Sequence, residues 1–204
     1  MSTLIDALPL QTINPSRFHR FTVEEYHRLI ESGHFTPEDH FELLEGYLVT
    51  KMSKNPPHTS ALNKLIKQLM AILPATWDWR VQDPITLASS EPEPDIAIIR
   101  PSADSYETHH PNPADIGLLA EVADLSLSTD QIDKLRIYAR SEIPVYWIVN
   151  LIGRQIEVYE QPSGPTADPE YAISQNYQAG ESVPVMLDGQ LIGHIAVNAV
   201  LPSA

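Results

Sequence analysis

Three carboxylates and one lysine carry the chemistry visible in this chain. Asp95 lies in Glu93-Pro94-Asp95-Ile96-Ala97-Ile98-Ile99 and Glu121 in Leu118-Leu119-Ala120-Glu121-Val122-Ala123-Asp124, and each interrupts an apolar strand pattern. Strand interiors disfavour acidic residues, and burying an ionised carboxylate is costly unless a cation meets it. Two of them on neighbouring strands suggest a divalent cation held by hard oxygen ligands. One short loop later, Asp130-Gln131-Ile132-Asp133-Lys134 opens a helix. Its spacing puts Asp130 and Lys134 on one face, so that the helix offers an ammonium group to the same place.

Each feature has a plainer reading. Asp95, following Pro94, can simply begin a strand at a solvated edge. Glu121 can be salt-bridged to an arginine. Asp130 and Lys134 can form a surface ion pair contributing under about 1 kcal/mol. Position argues against the last: a helix that starts directly after the Glu121 strand packs its first turns back against that strand. His58 can face a substrate, or equally serve a helix start or the core. Gln82, ahead of the Asp95 strand, can contact the site. The adjacent His109 and His110 point different ways, which suits a zinc pair poorly. Tyr146-Trp147 reads as core or a subunit contact, because base stacking needs an exposed ring face.

The elements that must position these groups follow from periodicity. Thr22 and Glu25 have capping-box spacing, so a first helix runs through Val23, Tyr26, Leu29 and Ile30 until Gly33 stops it. Phe41 to Val49 reads as a hairpin around Glu45-Gly46. Pro56-Pro57 breaks the chain, and Leu62, Leu65, Ile66, Leu69, Ile72 and Leu73 recur at helical spacing. Short strands fill 79–99, and residues 116–123 form another. Ser128 or Thr129 caps a helix through Leu135, Ile137 and Tyr138. Val145 to Leu151 is a strand buried on both faces. Strands at 155–161, 171–178 and 181–187 precede an apolar segment at 191–201. Helices flanking a mixed sheet, with carboxylates on its middle strands, define an α/β fold.

Of the 204 residues 43% are hydrophobic and 20% charged, which suits one folded unit over 21–204 after a polar arm at 1–20. The absence of cysteine removes disulfides, thiol nucleophiles and zinc–thiolate sites. No basic segment leads into an apolar run, and no apolar stretch reaches ~18 residues, so the default location is cytoplasmic, with no membrane partner. The net charge of −14, from 13 basic and 27 acidic residues, argues against a nucleic-acid coat protein. It leaves room for a nuclease that binds nucleic acid weakly and depends on divalent cations.

Several motifs, in order, resemble the Uma2 (DUF820) family of endonucleases within the PD-(D/E)XK nuclease superfamily. They are Phe41 to Val49, His58, Glu91-Pro92-Glu93-Pro94-Asp95-Ile96-Ala97, His110-Pro111-Asn112-Pro113-Ala114-Asp115, Glu121-Val122-Ala123-Asp124, Asp130 to Lys134, and Tyr138-Ala139 leading to Ile143-Pro144-Val145-Tyr146-Trp147-Ile148-Val149. The resemblance covers about residues 20–160. It implies a restriction-endonuclease-like αβββαβ core, here with an additional N-terminal helix and C-terminal strands. Asp95, Glu121 and the Val122 carbonyl would bind Mg²⁺ or Mn²⁺, with Glu45 a further acidic member and Lys134 the catalytic lysine. The superfamily places that lysine two residues after the glutamate, where this chain has Ala123; Uma2-like sequences carry it on the next helix, and Lys134 occupies that place. Val145 and Asn150 stand where glutamate and aspartate are common.

The expected activity is metal-dependent hydrolysis of phosphodiester bonds in nucleic acid, DNA first. Cleaving both strands of a duplex favours a homodimer, which the apolar C-terminal segment could serve. Two alternatives stay open: a binding or regulatory protein with little turnover on a nuclease scaffold, and a structural fold whose carboxylates meet arginines.

Overall fold

The computed structural model describes residues 18–35 and 39–203, so most of the expected arm lies outside the described residues. Helix α1 (Val23–Glu31) has both hydrogen bonds of the Thr22–Glu25 capping box. Strands β1 (Phe41–Leu44) and β2 (Tyr47–Thr50) form a hairpin whose turn, Glu45-Gly46, has positive φ at both residues. Gly46 is required twice over there, since a Cβ would also stand 2.8 Å from that of Arg20.

Helix α2 (Pro56–Ile72) begins at the Pro56-Pro57 pair expected to break the chain. Proline fits the first turn of a helix, where the missing N–H would have had no intrahelical acceptor. Asn55 caps it by accepting from the His58 backbone N–H.

Strands β3 (Asp78–Arg80), β4 (Ile96–Ile99), β5 (Ile116–Ala123), β6 (Val145–Asn150), β7 (Gln155–Pro162) and β8 (Tyr171–Gln178) make a mixed sheet in that spatial order, with β5 and β6 parallel and the other neighbours antiparallel. Between β5 and β6 runs a helical stretch of three parts. An α-helical turn, α3 (Leu127–Thr129), passes into a π-helical turn over Asp130–Lys134 and then into α4 (Leu135–Arg140). It starts ahead of Ser128 and Thr129, which lie inside the helix and do not cap it.

β4, β5 and β6 are buried at every position, as a sheet covered on both faces requires. One face packs Ile96, Ile98, Leu118 and Val122 against Leu62, Leu65 and Leu69 of α2. The hairpin of β9 (Ser182–Leu187) and β10 (Gln190–Ala196) and the short α5 (Val197–Val200) join this layer. The other face packs Ala97, Leu119, Tyr146 and Ile148 against Ile137 and Tyr138 of α4. Gly117 lets the Trp77 ring approach β5, because a Cβ there would lie 2.5 Å from it.

Tyr146 and Trp147 are wholly buried, so they build the core and offer no face to a base or a subunit. Val197, Val200 and Leu201 are likewise buried, so the end of the apolar C-terminal segment joins the chain's own core, while Leu191 at its start is exposed. β8 is an edge strand exposed along most of its length, and it holds no charge, proline or glycine. Among the described residues no helix is long and apolar enough to cross a membrane.

Candidate active site

The sheet register brings the two strand carboxylates together. Ile96 pairs with Ala120, so Asp95, one residue ahead of β4, falls beside Glu121. The Asp95 N–H donates to Glu121 Oε2 at 3.3 Å, and Asp95 Oδ2 accepts from the Val122 N–H at 2.8 Å. The Ala123 carbonyl accepts from Leu151 toward β6. Strand alternation therefore turns the Val122 carbonyl, like its N–H, toward Asp95. One oxygen-rich corner forms where β4 begins and β5 continues past it.

Two residues fix the Asp95 carboxylate from outside its strand. His58 Nε2 on the first turn of α2 lies 3.0 Å from Oδ2, and Gln82 Nε2 donates to Oδ1 at 2.8 Å. Burial raises the pKa of Asp95, but the hydrogen bonds from His58, Gln82 and Val122 outweigh it and hold the carboxyl below its ordinary value. Among the described residues no arginine meets Asp95 or Glu121.

Lys134 reaches Glu121 from the helical stretch that follows. Its Nζ donates to Glu121 Oε1 at 2.8 Å and lies 3.6 Å from Glu42 Oε2. Asp130 opens and Lys134 closes a π-helical turn. The Leu135 N–H donates to the Asp130 carbonyl five residues back, and the Tyr146 hydroxyl donates to the same carbonyl. With the wider turn Asp130 and Lys134 both point inward and are buried, while Ile132 stays exposed. Burial works against the Lys134 ammonium, but Glu121, Glu42 and Asp130 more than offset it and raise its pKa. Burial, with Asp130 and Asp95 adding to it, works against the ionised Glu121 carboxylate, and the Lys134 ammonium 2.8 Å away is what opposes that shift. Carboxylates thus outnumber the ammonium they surround.

Asp95, Glu121, Asp130, Lys134, His58 and Gln82 line one cleft of about 310 Å³. Glu45 does not. It sits in the β1–β2 turn and accepts from Arg136 and Arg140, at 2.6 Å each. The β1 carboxylate at the cleft is Glu42, which the sequence reading missed. Its signal was the one used for Glu121, an acidic residue inside an apolar strand. Tyr138 was also missed in this role: its hydroxyl donates to Glu121 Oε1 at 3.1 Å. His109 and His110 lie against a separate hollow with His27 and Glu91.

Among the described residues no three His, Asp or Glu side chains are grouped as a ready-made metal cage. The donor set fits a hydrated Mg²⁺ better than a caged ion. Such a cation keeps several waters and needs only one or two carboxylates, and Asp95 and Glu121 beside the Val122 carbonyl are the groups that could hold one.

A family model, Uma2, described as "Putative restriction endonuclease", matches residues 23–192. Among solved structures the chain is similar to a protein from Anabaena variabilis ATCC 29413 titled "a putative nuclease belonging to DUF820". The two are 14% identical over 88% of this chain and 97% of that one, with a TM-score of 0.65, a likeness of fold. No curated protein matches.

Proposed function

The chain belongs to the Uma2 family, and from that premise we propose that it is a metal-dependent endonuclease whose reaction centre is the cleft around Asp95, Glu121 and Lys134. The observation that carries the reading is the meeting of two buried carboxylates and one buried ammonium, from β4, β5 and the π-helical turn, in a single cleft. Asp95, Glu121 and the Val122 carbonyl would hold Mg²⁺ or Mn²⁺, which supplies a water of lowered pKa and positive charge against the phosphate. His58 and Gln82 keep Asp95 ionised and fix its orientation. Lys134, held protonated by its neighbours, serves as a fixed positive charge on the charge-gaining phosphate oxygens and not as a proton acceptor. Glu42 and Tyr138 hold Lys134 and Glu121 in register. DNA is the substrate class tested first.

Purified Asp95→Asn and Lys134→Met should each lose about a hundredfold or more of Mg²⁺- or Mn²⁺-dependent cleavage of plasmid and oligonucleotide DNA, the scale expected for one electrostatic group. Undiminished cleavage by both sinks the reading. One observation favours a second reading, metal binding without turnover: the Lys134 ammonium is already committed to Glu121. It predicts that Mg²⁺ raises the melting temperature of the wild type, and less that of Asp95→Asn, while no phosphodiester is cut.

A further inference from the structure

The floor of the cleft is far less accessible than its rim. Asp95, Glu121 and Lys134 are 7%, 4% and 7% exposed, whereas two apolar residues of the lining, Met52 and Leu125, are 54% and 64% exposed. Met52 lies in the segment between β2 and α2, and Leu125 in the one between β5 and α3. Asn55 Nδ2 donates to Asp124 Oδ2 at 2.6 Å and ties these two segments together, so both lips are anchored beside the floor. The volume of about 310 Å³ is at the small end for ligand sites, room for about one nucleotide.

We infer that this cleft takes an unpaired nucleic-acid strand, passed between Met52 and Leu125, in preference to an intact duplex; the inference rests on the endonuclease reading above. A duplex turns its phosphates outward and keeps its bases stacked inside. The groups it would lay on these lips are anionic, and its binding needs rows of cations. The lining offers exposed Lys54 and a Lys51 engaged by Glu93 at 2.5 Å, on a chain of net charge −14. An unpaired strand presents apolar base faces and sugars as well as phosphates, and it bends freely enough to lower one phosphate to a buried floor. Met52 and Leu125 have a partner in that strand and none in the phosphate ridge of a duplex.

The test uses the full chain with a fluorescein-labelled DNA oligonucleotide, its blunt duplex, and RNA of the same sequence. Fluorescence anisotropy in Ca²⁺ reads binding and gel assays in Mn²⁺ read cleavage. Single strands should bind at least about tenfold more tightly than the duplex and be cut faster, about 1.4 kcal/mol of preference. Met52→Ser/Leu125→Ser should raise KM on the single strand and leave kcat and the melting temperature near those of the wild type. Equal or tighter duplex binding, or an unaltered KM in the lip variant, overturns the inference. Efficient cutting of duplex alone overturns it while the endonuclease reading stands. Preferential strand binding with no cutting in any metal upholds the strand preference and removes the endonuclease reading.

Discussion

At Lys134 an ammonium group is buried against Glu121, with Glu42 and Asp130 also contributing to its charge. Removing one partner of such a pair strands the other in a poorly solvating interior. Lys134→Met should therefore cost about 3–5 kcal/mol in urea unfolding, and Glu121→Gln/Lys134→Met should recover much of that loss while staying inactive. A double variant no more stable than the single one would show that the pair is not the source of the cost. The same imbalance explains which residues were legible beforehand. Asp95 and Glu121 were visible because a carboxylate in an apolar strand is an energetic anomaly, whatever its partner. Glu42 is equally anomalous in its strand, whereas Glu45, in a tight turn, is taken up by Arg136 and Arg140.

Among elements, the π-helical turn is the one that periodicity could not reveal. A spacing of four residues places Asp130 and Lys134 on a common face of an ordinary helix as well, so nothing in the sequence marks the wider turn. Glu157 of β7 braces it: both carboxylate oxygens accept from Gln131, at 3.0 and 2.8 Å, and Asn150, Gln155 and Tyr159 also donate to it. An aspartate at position 150 would repel Glu157 where Asn150 donates to it. Burial pushes the Glu157 carboxyl up, but these four side chains bring it below its ordinary value. A depressed folded pKa contributes stability that is complete above the unfolded value and lost as pH falls through the folded one. The stability gap between wild type and Glu157→Gln, from urea unfolding, should thus be widest near neutral pH and close below the carboxylate range. A gap independent of pH would refute that account. At Gly117, alanine would press its methyl into Trp77, and a cost of about 1–3 kcal/mol is expected in thermal unfolding. At the start of α2 the difference from expectation is local: Pro56-Pro57 can end a helix but here opens one.

For the molecule as a whole, the mixed sheet and its two covering layers were legible from strand order, because the buried strands read as continuous apolar runs. How the C-terminal segment is used was not, since an apolar stretch looks the same whether a partner or the chain's own sheet covers it. With 13 basic residues against 27 acidic ones, few cations remain to meet phosphates. Strand binding should accordingly weaken only gently with salt, with a log–log slope of about 1–2, since each neutralised phosphate of a single strand contributes about 0.7. A much steeper slope would mean a cationic surface beyond Lys51 and Lys54. The open edge at β8 has an opposite consequence. Natural edge strands are commonly guarded by a lysine, a proline or a bulge, and Tyr171–Gln178 has no charge or proline of its own. The net charge of −14 then opposes edge-to-edge pairing of two copies through the mutual repulsion of their acidic surfaces, a guard that acts at a distance and fades as ions screen it. Added salt should make this protein stickier toward itself, with light scattering rising at high ionic strength and Asn176→Lys restoring clear solutions.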